Sequence, residues 1–115
     1  MEGSPTTTAI DYVLKRCQIS PRHAGYRGMS FAVQLTLSDK ELLKQKTTKL
    51  YPMVAEALGK DWRTVESDIR YAMRYGLDRM EEQDYRYVFG CIPLKRPTVG
   101  EFIDAVAATV ERIGK

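Results

Sequence analysis

Apolar residues recur along this chain at helical spacing, and the breaks between the runs fall at glycine, proline and capping residues. Ile10, Val13, Leu14 and Cys17 stand at i, i+3, i+4 and i+7, which predicts an amphipathic first helix with N-cap oxygens offered by Thr6 to Thr8. Ser20-Pro21 ends that region and opens a turn. A second helix is expected over Tyr26 to Thr36, although its run Phe31, Ala32, Val33, Leu35 also fits a strand. Ser38 and Asp39 cap a short helix to about Gln45, and Thr47 or Thr48 caps the next, which runs to Leu58 with Pro52 in its first turn or at a kink. Gly59 is a natural helix stop, Asp61 a natural start, and Trp62 to Met80 form the longest periodic segment. Tyr85 to Leu94, YRYVFGCIPL, is aromatic and β-branched and predicts an extended stretch or hairpin. Thr98 and Glu101 have the spacing of a capping box, opening a last helix with Phe102, Ile103, Val106, Val110 and Ile113 on its buried face. The expected fold is all-α, a compact bundle of about six helices over 6–115, with 1–5 as a disordered start or linker.

The stretch from Thr47 to Leu77 carries the function. Two helical patterns flank the polar break Gly59-Lys60-Asp61, the layout of a helix-turn-helix that reads DNA. Val65, Ile69, Ala72, Met73, Gly76, Leu77 and Met80 make one apolar face of the second helix. Arg63, Ser67, Arg70 and Arg74, at steps of four, three and four, line up on the other over about three turns. A guanidinium pairs bidentately with a guanine edge, and a carboxylate accepts from the cytosine amino group. Arg63, Glu66, Ser67 and Arg70 are therefore the candidate base readers. Thr48, Lys49, Thr64 and Arg74 are the candidate phosphate contacts, with the Thr64 methyl also suited to thymine. Thr47 lies with Thr48 and Lys49 near the backbone. Lys40, Lys44 and Lys46 extend a positive rim, and Arg79, Lys95 and Arg96 add further phosphate candidates. The competing interpretation is an ordinary solvated face, with Glu66 and Arg70 as a mere i,i+4 ion pair.

Composition narrows the classes. At 115 residues the chain makes one domain, and its 43% apolar and 29% charged content is that of a soluble globule. No apolar run is long enough to span a membrane, and MEGSPTTT lacks the apolar core of a signal peptide, so a cytoplasmic protein is expected. Eighteen basic against fifteen acidic residues leave a net charge of +3, which permits a nucleic-acid partner if the positive charge is segregated. Cys17 and Cys91 are far apart without metal-ligand spacing and read as reduced thiols. His23 has no nucleophile or carboxylate partner in sequence and reads as a local hydrogen-bonding residue. Tyr85, Tyr87 and Phe89 offer a stacking platform for bases, but at least two of them are expected to close the core. Lys49, Tyr51, Tyr71 and Tyr75 read as scaffold and rim. No phosphate loop, zinc pattern or nucleophile elbow occurs, so neither an enzyme nor a cofactor nor a metal is expected.

Five stretches, ISPRHAGY (19–26), LYPMVAEAL (50–58), VESDIRYAM (65–73), the Phe89-Gly90 pair and KRPTVGEFI (95–103), occur in the order and spacing of a known family. Over about Thr7 to Ile113 the chain resembles the C-terminal DNA-binding effector domain of Spo0A-type sporulation response regulators. The resemblance implies a six-helix fold whose helix-turn-helix spans Leu50–Leu58 and Trp62–Leu77. It also implies binding of double-stranded promoter boxes, often by a second copy on a tandem site, and contact with RNA polymerase. Glu66 and Arg70 keep the residue types that the family places at DNA. Thr64 and Ser67 stand where the family has arginines, and neither imitates a guanidinium fork. Arg63 and Arg74 are additions. The family's receiver domain has no room here, so the chain reads as an excised effector domain or a stand-alone relative. The rival is a helical protein-interaction module that kept the fold and lost its specific DNA contacts.

Overall fold

A computed structural model describes residues 5–114, which form six α-helices and no strand. They are α1 (Pro5–Arg16), α2 (Tyr26–Ser38), α3 (Tyr51–Leu58), α4 (Trp62–Arg79), α5 (Glu82–Phe89) and α6 (Val99–Ile113). A 3₁₀ segment (Lys40–Gln45) and a π turn (Lys46–Leu50) lead into α3. The expected disordered start at 1–5 lies outside the described residues except for Pro5, where α1 begins. Thr6 to Thr8 are thus inside α1 and do not cap it.

The core is built around α6, against which α1 and α2 pack. Ile10, Val13 and Leu14 of α1, Met29, Ala32 and Val33 of α2, and Phe102, Ile103, Val106 and Ala107 of α6 are fully buried. Ile113, expected on this face, is 37% exposed, because it ends α6 beyond the last turn that α1 and α2 cover. Thr98 accepts from Glu101 N (3.1 Å) and Glu101 Oε1 accepts from Thr98 N (2.9 Å), so the expected capping box is formed.

Two local expectations fail for reasons of chemistry. Thr47 and Thr48 do not cap α3 but sit inside the π turn. Pro52 has no N–H, and its ring presses on the carbonyl four residues back, so the chain winds wider before α3 and Tyr51 N bonds Lys46 O. Asp39, by contrast, caps the 3₁₀ segment, accepting from Glu41 N at 3.0 Å. The predicted extended stretch from Tyr85 is helix α5, which ends at Gly90 with φ 82 before an irregular segment. Asp84 decides this. Its carboxylate accepts from Glu81 N (3.1 Å), from Arg16 Nε (3.2 Å) and from Gln18 Nε2 (3.4 Å), so it caps α5 and ties it to the end of α1. Arg86 then pairs with Glu82 one turn back (2.8 Å). Tyr85, Tyr87 and Phe89 are half-buried against the core, as the core-closing alternative required.

Two glycines seat α4. A Cβ on Gly25 would overlap the Asp68 carbonyl, and a Cβ on Gly76 would overlap the Cys17 carbonyl and stand 3.0 Å from Ile19 Cγ1. The backbone therefore touches α4 on both halves of its length. Gly76→Ala is expected to cost about 1–2 kcal/mol in urea unfolding, since overpacking (about 1–3 kcal/mol) outweighs the helix propensity regained (about 1 kcal/mol). An unchanged midpoint would mean that the Cys17 carbonyl moves aside freely.

Candidate nucleic-acid interface

α3 and α4 pack together across a three-residue turn. Gly59 adopts the left-handed conformation (φ 67) that ends α3, and Lys60 N bonds back to Ala55 O at 3.0 Å. Asp61 then opens α4, accepting from Arg63 N at 2.8 Å. Lys60 pairs with Asp68 at 3.3 Å and fastens the turn to α4. The sequence-predicted docking face is buried in full: Val65, Ile69, Ala72, Met73, Gly76, Leu77 and Met80.

The opposite face holds the candidate readers. Arg63, Ser67, Arg70 and Arg74 are all exposed and share one stripe of α4, with Thr64 on its flank. Arg63 lies over the Trp62 ring at 5.4 Å. Arg70 pairs with the half-buried Glu66 at 3.0 Å. Among the described residues Arg74 forms no ion pair. Tyr71 is 65% exposed, a rim position one turn from Ser67 and Arg74.

Thr47, Thr48 and Lys49 are exposed on the π turn, next to the N-terminal end of α3. Between that turn, α4 and the start of α6 runs an open groove of about 340 Å³. Lys46, Thr47, Glu66, Arg70, Arg74 and Arg96 face it, and buried Tyr51 forms part of its floor. Burial, with the Glu66 charge adding, raises the Tyr51 hydroxyl above its ordinary range and keeps it protonated.

The other basic candidates divide. Lys46 and Arg96 reach the groove. Lys40 instead pairs with Glu111 at 2.9 Å, and Glu111 lies roughly 16 Å along α6 from the groove's Gly100. Lys44 pairs with Glu41 at 3.6 Å. Arg79 stacks on Tyr75 at 3.6 Å and donates to the Tyr75 carbonyl. Lys95 is exposed on the segment before α6. His23 Nδ1 lies 3.2 Å from both Ser20 N and Ser20 O, and its ring packs on Tyr75 at 4.3 Å, a local structural role.

Burial, with the Asp84 charge adding, pushes the Cys17 thiol up to about 12, so it stays protonated at neutral pH. Among the described residues no three metal-ligating side chains converge, and no helix is long and apolar enough to cross a membrane. Residues 10–110 match the family described as Sporulation initiation factor Spo0A C terminal.

Proposed function

We propose, from the premise that this chain belongs to the Spo0A C-terminal family, that α4 reads a specific sequence in the major groove of double-stranded DNA. The family is one of DNA-binding effector domains that act in transcription regulation and sporulation. The observation that carries the finer reading is the division of α4 into a buried face seated by two glycines and an exposed stripe of three arginines and a serine.

Glu66 and Arg70 act as a unit. Arg70 donates where a guanine presents N7 and O6, and Glu66 accepts where a cytosine presents its amino group. Side by side at 3.0 Å, the two match one G·C pair or two neighbouring ones. Arg63 reads a turn before Glu66, and Ser67 reads between Glu66 and Arg70. Thr48, Lys49, Thr64 and Arg74 hold the sugar-phosphate backbone. With Thr64 and Ser67 in place of two arginines, the preferred box differs from one read by guanidiniums at those positions.

Selection from a randomised duplex library, followed by titration of the best and a scrambled duplex at two salt concentrations, tests this. A recovered motif with an affinity ratio above roughly 10³ is expected. No motif, with binding that vanishes as salt rises, would replace this function with protein docking on the same helix face. Lys49→Ala should weaken all duplexes alike and lower the salt slope by about one. A loss confined to one sequence would make Lys49 a base reader instead.

A further inference from the structure

Three elements, two of them outside the reading helix, bring positive charge to one place. Lys46 comes from the π turn, Arg74 from α4 and Arg96 from the segment before α6, and all three line the groove described above. The one carboxylate in its wall, Glu66, is already engaged by Arg70. Lys46 is half-buried and donates to the Leu43 carbonyl at 3.2 Å, a neutral partner that leaves its charge uncompensated. Its Nζ stands 3.0 Å from where a Cβ on Gly100 would be, so the ammonium lies close against the start of α6. Arg96 is turned to Asp78 at 2.6 Å, an exposed pair at the groove's edge. Hydroxyls of Thr47 and Thr98 complete the polar lining. The cations outnumber the carboxylates near them, Glu66 and Asp78, and an entering oxyanion relieves the remaining repulsion.

We infer that this groove seats one phosphate of the bound duplex backbone, held by Lys46 and Arg74, and that Arg96 joins them by exchanging Asp78 for the phosphate. The inference rests on the duplex-binding function proposed above and adds an anchor from the segment before α6, outside the helix-turn-helix. The groove shares Arg70 and Arg74 with the reading helix and Thr47 with the backbone-facing turn. A strand that follows the groove side of α4 therefore passes its mouth. Its open form suits a phosphodiester in a continuous chain, and its cationic lining suits a tetrahedral oxyanion.

The Asp78–Arg96 exchange gives a test with opposite signs. Lys46→Ala should lower the slope of log affinity against log salt by about 0.9. Asp78→Asn should tighten duplex binding by up to about fivefold by freeing Arg96, and that gain should disappear in the Asp78→Asn, Arg96→Ala double variant. A duplex series with one neutral methylphosphonate at a time should contain a position that weakens the natural chain and leaves Lys46→Ala no weaker. If Asp78→Asn gives the same gain with and without Arg96, and no methylphosphonate position depends on Lys46, the seat is overturned while duplex binding stands. If the natural chain binds no duplex, the proposed function falls and the seat with it. Inorganic phosphate titrated without DNA separates a free anion site. Saturable shifts of the Gly100 amide resonance that Lys46→Ala abolishes would assign the groove to a free phosphate instead and overturn the backbone assignment.

Discussion

Arg70→Ala is expected to weaken binding of the preferred duplex about 10- to 100-fold and to relax the preferred base at one position. The magnitude follows from the loss of one bidentate guanidinium contact, about 1–3 kcal/mol. The intrahelical pair lost with it is small, since exposed i,i+4 pairs are worth about 0.3–0.5 kcal/mol, so the fold should be nearly unaffected. The larger consequence is for Glu66. Without Arg70 beside it at 3.0 Å, its carboxylate faces the duplex unneutralised. Glu66→Gln in the Arg70→Ala background should therefore recover part of the affinity without restoring the base preference. Library selection on both variants checks this, and a preference unchanged in Arg70→Ala would remove Arg70 from the readers.

Phe102→Ala should be the most damaging single truncation for the fold. Its ring is fully buried near the start of α6, 6.1 Å from Phe89 at the end of α5. Removing a buried phenylalanine ring costs about 3–5 kcal/mol. Domains of this size hold about 5–15 kcal/mol in all. A fall in melting temperature of about 10–20 °C is expected, followed by circular dichroism. Duplex affinity well below the new transition should change little, because α4 is seated by α2 and the end of α1 rather than by this ring. A drop in melting temperature of only a few degrees would mean that α5 collapses into the space.

These two positions also show what a sequence discloses. The periodicity of α4 and α6, the stop at Gly59 and the caps at Asp61 and Thr98 are written within a few residues of where they act, and each has its expected place. The exposed stripe Arg63, Ser67, Arg70 and Arg74 was legible for the same reason. Helix α5 was not. Tyr85, Tyr87 and Phe89 alternate at strand spacing, and their intrinsic preference is for strands. What overrides that preference is Asp84 reaching Arg16 and Gln18, residues more than sixty positions away. The cationic groove was equally hidden. Lys46 and Arg96 are fifty positions apart, and no local pattern shows that they face one cavity.

The two glycine contacts have a consequence for the thermodynamics of recognition. A helix held by backbone on both halves has little conformational freedom left to lose when it enters a groove. Association should then proceed without the large negative heat-capacity change of coupled folding, and calorimetry on the preferred duplex should report mainly dehydration and counterion release. Gly25→Ala and Gly76→Ala would loosen that seat, and their signature should be a more unfavourable binding entropy rather than a lost contact.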